Sequence, residues 1–228
     1  MLRRSVYLIG FSLMLLCVAI INTSTAYGSS DDDLLKANNK QSAPISVLPQ
    51  WQRVLEDHAF QNAIEPSKKF HAWRKFVNSI RNDSPVRQLL KVNLWFNGFP
   101  YKQDNWIYGK DDHWATPSEF LENGGDCEDY VITKYITLRE LGFAAEDMKI
   151  AMVYDVFSGT DHALLVVDHD GEKFVLDNRD NMTVASHYTK RYKPHYVFNE
   201  NGLWTYDSPV IARRKAHTDN NSVLPGNR

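Results

Sequence analysis

Gly124-Gly125-Asp126-Cys127-Glu128-Asp129-Tyr130 is the stretch on which the reading of this chain turns. Two glycines interrupt whatever precedes them, and Asp126 is a good N-cap for a new helix. Val131, Ile132, Tyr135, Ile136 and Leu138 make that helix apolar on two sides before it stops at Gly142, a natural residue to follow a helix end. A helix with that pattern belongs in the middle of a domain, and its first turn carries a thiol. Backbone N–H groups and the positive end of the helix dipole stabilise a thiolate there. The glycines leave room for a substrate backbone to approach.

Upstream, helical spacing dominates. Trp51, Val54, Leu55, His58 and Ala59 share one face of a first helix. Pro66 opens a second, with Phe70, Trp73, Phe76, Val77 and Ile80 inward, and Pro85 opens a third, with Val86, Leu89, Leu90, Asn93 and Leu94 inward. Residues 97–112 are turn-rich, and Thr116, Pro117 and Glu119 form a capped helix start. Downstream the period changes to that of strands at 149–156, 163–168 and 173–176, with Asp170-Gly171 as a tight hairpin turn and a further strand at 196–198. Helices first and an antiparallel sheet later imply an α+β domain.

The 228 residues are 43% hydrophobic and 24% charged, which excludes a disordered, collagen-like or coiled-coil chain. A net charge of −2 gives no electrostatic footprint for nucleic acid. Arg3 and Arg4, the uncharged apolar run from Val6 to Ile21, and small residues at Ser24 and Ala26 read as an export signal. The run is shorter than the roughly 20 residues of a bilayer span, so no stable membrane insertion is expected after cleavage; an uncleaved anchor is the alternative. Leu16 before Cys17 speaks against lipidation. The expected organisation is a signal peptide over 1–26, a flexible leader over 27–50, a domain over 51–208 and a polar tail over 209–228.

Of two cysteines, Cys17 leaves with the signal. Cys127 is then a lone thiol in an exported protein: paired between molecules, buried and inert, or reactive. A nucleophile needs a base, and the base an orienting acceptor. His162 starts one strand of the hairpin and Asp177 ends the next, which places them side by side at one end of the sheet. With eight histidines in the chain, other bases stay open. Asp126, Glu128 and Asp129 oppose a neighbouring thiolate. They either complement the helix dipole or hold a hard cation such as calcium that cancels the repulsion. No twelve-residue EF-hand loop is present. Asp111-Asp112-His113 reads as a solvated loop in which Asp112 could lend an oxygen to the cation. His169, His187 and His195 lack zinc spacing, and Arg191, Lys193, Arg213, Arg214 and Lys215 read as surface charge.

The cysteine motif, the strand-leading His162 and Leu176-Asp177-Asn178 resemble the bacterial transglutaminase-like cysteine proteinases, as do Trp114-Ala115-Thr116-Pro117 and residues 199–204. The likeness spans Trp51 to Tyr206; it departs at Ala163-Leu164, where the family pattern has methionine and valine. The resemblance implies a papain-like core with Cys127 as nucleophile, His162 as general base and acid, and Asp177 orienting the imidazole. It implies a Ca2+ cofactor, with Asp126 and Glu128 as ligands and Asp129 as a further one. The Cys127 N–H is a candidate oxyanion donor, with Trp114 a second. It further implies a periplasmic endopeptidase that cuts the N-terminal region of a large surface adhesin at a pair of alanines and so releases cells from a biofilm. Its inhibitory partner would be an inner-membrane cyclic di-GMP receptor acting through its periplasmic domain. Acyl transfer to an amine, or a non-catalytic calcium-binding module, are the competing functions.

Overall fold

A computed structural model of the chain describes residues 43–61, 67–181 and 191–205. Six helices precede the sheet: α1 (Pro49–Gln61), α2 (Lys68–Ile80), α3 (Pro85–Asn97), a single turn α4 (Asp104–Ile107), α5 (Pro117–Asn123) and α6 (Cys127–Leu141). Five strands follow, β1 (Met148–Asp155), β2 (Thr160–His169), β3 (Glu172–Leu176), β4 (Tyr192–Asn199) and β5 (Gly202–Thr205). They pair antiparallel in the order β3-β2-β1-β4-β5. The α+β expectation holds.

Period-two alternation divides the sheet residues between two apolar clusters. Ile150, Ala163, Leu165, Val167, Phe174 and Leu176 join the helices in the main core, while Ala151, Val153, Leu164, Val166 and Val175 pack with Tyr192 and Val197 in the second. Helix α6 lies against β2 and β1, and α3 and α5 pack on α6. Trp51 meets Tyr135 of α6 and Phe198 of β4 edge-on, at 5.4 and 5.6 Å between ring centroids, so α1 closes over both layers. The hairpin turn has Asp170 at φ 53° and Gly171 at φ 77°, the two positive values of a type I′ turn.

Three expectations need correction, and one strand is unanticipated. Helix α3 is rotated from its expected phase: Gln88, Leu89, Val92, Asn93 and Phe96 are buried, whereas Val86, Leu90 and Leu94 are 38%, 41% and 59% exposed. Polar contacts cause the rotation. Gln88 Nε2 donates to the carbonyls of Ile80 and Arg81 at 3.1 and 3.0 Å, satisfying the end of α2, and Asn93 is drawn inward by Lys134 Nζ at 2.7 Å. The expected leader ends too late. Ala43 forms a bridge to Leu203 with reciprocal N–H···O bonds of 3.2 and 3.1 Å, and Ile45 and Leu48 pack on the core, so residues 43–50 belong to the domain. Strand β5 has only four residues and an unexpected partner in Ala43, which is why pattern alone passes over it. Helix α2 begins at Lys68, with Ser67 Oγ accepting the Phe70 N–H at 3.2 Å.

Pro66, the export signal, residues 27–42 and the C-terminal tail lie outside the described residues. Among the described residues, no helix is long and apolar enough to cross a membrane.

Replacing Gln88 with Leu keeps the volume but removes the side-chain donor from the Arg81 carbonyl and one of two donors from the Ile80 carbonyl, which keeps the Asp83 N–H at 3.0 Å. The variant is expected to lose about 1 kcal/mol of stability, read as a lower urea midpoint at unchanged m-value.

Candidate active site

The start of α6 is fixed by the protein's own backbone. Gly124 sits at φ 77°, and a Cβ there would run into the Pro100 carbonyl; one at Gly125 would strike the Asp129 carboxylate. The Lys102 N–H donates to the Gly125 carbonyl at 2.9 Å. The glycines therefore admit the 98–102 segment and Asp129, correcting the expectation that they make room for a substrate backbone. Asp129 is buried, and its two oxygens accept the N–H groups of Ala115 and Asp126 at 2.6 and 3.1 Å. That arrangement locks the turn into which Cys127 is set.

The Cys127 thiol is half-buried and donates to Glu128 Oε2 at 3.1 Å. The Ala163 N–H also reaches its sulfur, placing the thiol at the start of β2 beside His162. This contact uses the main chain, so the family's methionine at position 163 is not required for it. Burial, then the charges of Glu128 and Asp126, push the thiol pKa well up. The helix N-terminus is outweighed.

His162 is buried within β2, which begins two residues before it. Its Nε2 lies 2.9 Å from Asp177 Oδ1, and its buried Nδ1 has no hydrogen-bond partner among the described residues. The pair meets because β2 and β3 are in register from Leu165–Leu176 to His169–Glu172, which leaves Asp177 just past the end of β3. Asp177 Oδ1 also accepts the Arg179 N–H at 2.9 Å, and Oδ2 accepts the Tyr192 hydroxyl at 2.8 Å. Burial raises the Asp177 pKa, but the hydrogen bond and charge of His162, with the other donors, hold it below the usual value. An Nε2–H given to Asp177 leaves Nδ1 as the lone-pair nitrogen that a base requires.

Behind this pair, buried Asp155 accepts from Arg179 at 2.9 Å and from Arg191 at 2.9 and 3.2 Å. Arg191, first of all through its hydrogen bond, holds the Asp155 carboxyl well below the carboxylate range. Arg191 is a structural partner, not the ordinary surface charge expected of it. Trp114 is likewise occupied in packing, stacked on Phe198 at 5.2 Å.

On the other side of Cys127 the carboxylates crowd. Oxygens of Asp104, Asp126 and Asp129 lie within 4.8 Å of one another, as do those of Asp104, Asp112 and Glu128. Asp104 is buried at the head of α4, its Oδ2 accepting the His113 N–H at 2.6 Å. In the sequence it is one residue of the turn-rich stretch 97–112. Only its neighbourhood in space distinguishes it. Asp104 Oδ1 and Asp126 Oδ1 are both buried without a hydrogen-bond partner among the described residues. Burial first, then neighbouring carboxylates, raise the Asp126 pKa far above the carboxylate range. Unpaired buried oxygens on clustered carboxylates are the donor set that a hard divalent cation satisfies. Asp129, with both oxygens already accepting N–H bonds, serves that cluster mainly by holding Asp126 in place. A cavity of about 200 Å³ opens beside it, lined by Tyr101, Gln103, Asp104, Asn105, Asp111 and Asp126.

No curated protein sequence matches this chain. Among solved structures it is similar to calcium-bound LapG of Legionella pneumophila, with a TM-score of 0.56 and 31% identity over 68% of this chain and 88% of that one. EGTA-treated LapG from the same organism gives a TM-score of 0.56 and 30% identity over 68% and 86%. A third LapG structure gives 0.55 and 29% over 73% and 96%. The likeness supports a transglutaminase-like fold for the helices and sheet described above. The sequence profile of the family described as bacterial transglutaminase-like cysteine proteinase, BTLCP, matches residues 69–205, from the second helix to the last strand and including Cys127, His162 and Asp177. The chain belongs to the bacterial transglutaminase-like cysteine proteinases.

Proposed function

We propose that the protein is a calcium-dependent cysteine endopeptidase of the periplasm in which Cys127, His162 and Asp177 form the catalytic triad. The observation that supports the triad is the imidazole of His162, held at Nε2 by a buried carboxylate and bare at Nδ1, one residue before the Ala163 N–H that reaches the Cys127 sulfur. The thiol gives its proton to Nδ1, and the sulfur attacks the peptide carbonyl carbon. The Cys127 N–H, one of the unsatisfied donors of the first helical turn, faces the developing oxyanion. The imidazolium protonates the leaving amine, and His162 then takes a proton from the water that releases the acyl group. Asp177 keeps the imidazole in its tautomer and stabilises its charged form.

Asp104, Asp112, Asp126 and Glu128 would supply the oxygens for Ca2+, with Asp129 behind them. When bound there, the ion would supply positive charge against the carboxyl groups that hold the proton on Cys127. The existence of calcium-bound and EGTA-treated LapG structures among the similar proteins supports this choice of ion. From family resemblance, the substrate is the N-terminal region of a large surface adhesin, cut at an Ala-Ala site to free cells from a biofilm. The inhibitory partner is an inner-membrane cyclic di-GMP receptor.

Cys127→Ala is expected to abolish cleavage of purified adhesin N-terminal fragments while leaving the melting temperature nearly unchanged; cleavage by that variant would sink the triad. A chelator is expected to stop cleavage and lower the melting temperature, with both restored by added calcium. Asp126 and Asp129 have folded pKa values raised above their unfolded ones. Their stabilisation is thus present below an unfolded pKa of about 4 and is lost as pH rises. In chelator, the melting temperature should fall from about pH 5 to about pH 8, and Asp126→Asn should flatten that fall. An unchanged slope would remove the carboxylate cluster as its cause.

A further inference from the structure

Lys134 lies on α6 two turns beyond Cys127 and is completely buried. Its Nζ donates to Asn93 Oδ1 and Asn97 Oδ1, each at 2.7 Å, and sits 5.7 Å from the centre of the Tyr130 ring. The two asparagines occupy successive turns of α3 and reach onward with their amide nitrogens. Asn97 Nδ2 donates to the Asp177 carbonyl at 2.9 Å, to the Asp180 carbonyl at 3.2 Å and to Asn181 Oδ1 at 3.0 Å. Asn93 Nδ2 donates to the Asp180 carbonyl at 2.9 Å. Asp177 and Asp180 are themselves bridged, so these bonds grip a closed loop.

We propose that Lys134 is a positioning residue for the triad: through Asn93 and Asn97 it fixes the helix that carries Cys127 to the loop that carries Asp177. The inference rests on the catalytic reading of those residues. Its chemistry lies in the donor inventory. A lysine head group offers only hydrogens when charged, so both carboxamides must turn their oxygens to it and their nitrogens to the loop. An apolar residue at position 134 would leave each amide free to flip, and a flipped amide presents oxygen to the loop carbonyls. Burying an ammonium is costly; burial lowers the Lys134 pKa to about 7, while the Asp177 charge opposes the fall. A stabilising core has no need of this group, whereas a loop that must hold a carboxylate to hydrogen-bond precision does.

The test is iodoacetamide alkylation of calcium-saturated protein, followed at the Cys127 peptide by mass spectrometry across pH. Wild type should alkylate faster than free cysteine down to about pH 6, as a thiolate paired with imidazolium does. Lys134→Met and Asn97→Leu should each slow alkylation at least about tenfold at that pH. The change should be within about threefold near pH 9.5, where an unassisted thiol ionises. The double variant should be no slower than the worse single one, because both cut one tie. If Lys134→Met does not fold, Asn97→Leu, at the partly exposed end of α3, decides alone. Variant profiles that superimpose on wild type, or that drop equally at both pH values, overturn the inference. A wild-type profile matching free cysteine overturns the triad, and this inference with it.

Discussion

A charged carboxylate in a dry interior is the constraint around which the molecule is arranged. Asp177 has no access to water, and an unpaired carboxylate there would cost far more than the domain's net stability. Its oxygens instead meet His162, the Arg179 N–H and the Tyr192 hydroxyl, drawn from β2, its own loop and β4. Each donor depends on a different part of the fold. Strand register delivers His162, Asp155 anchors the Arg179 side chain, and β4 enters the second cluster with Tyr192. Disturbing any of these would leave the carboxylate short of a donor, so the positions are coupled energetically through one group.

Much of this was legible in residues 124–142 and 160–177. Alternating hydrophobicity and Asp170-Gly171 define the hairpin, and the hairpin places His162 and Asp177 together. The capping box at Thr116 and Glu119 is local chemistry and forms as read, with bonds of 3.2 and 2.8 Å. What escaped reading depends on partners distant in sequence. The phase of α3 is ambiguous because its apolar residues form two overlapping stripes, and Gln88 and Asn93 choose between them by hydrogen bonds to α2 and α6. Lys134 looks like a surface residue until its acceptors on α3 are in place. Asp104 and Arg191 likewise acquire their roles only when α4 meets α6 and β4 meets β1.

Two electrostatic effects act on Cys127 in opposite directions, and their sizes decide the outcome. A helix N-terminus is worth about half a positive charge. Opposing it are burial first and then the neighbouring carboxyl groups of Glu128 and Asp126, so the thiol is held protonated. Within the same cluster, Asp104 and Asp126 carry buried oxygens without a hydrogen-bond partner among the described residues. The site is thus unsatisfied in two ways, one electrostatic and one of hydrogen bonding, and one hard cation would relieve both.

The geometry separates these two problems in space. The carboxylate cluster lies on the α4 side of Cys127, against Tyr101 and the cavity, whereas the His162–Asp177 pair lies on the β2 side, where the Ala163 N–H touches the sulfur. A cation bound among the carboxylates would therefore raise the electrostatic potential at the sulfur without displacing the imidazole or competing for Asp177. Glu128, which accepts from the thiol in the ion-free arrangement, is itself among the oxygens a cation would draw away. Charge neutralisation and release of the sulfur from its carboxylate acceptor would then be a single event. The acidic residues next to the cysteine, costly as bare charge, would in that case make the thiol's state depend on an ion.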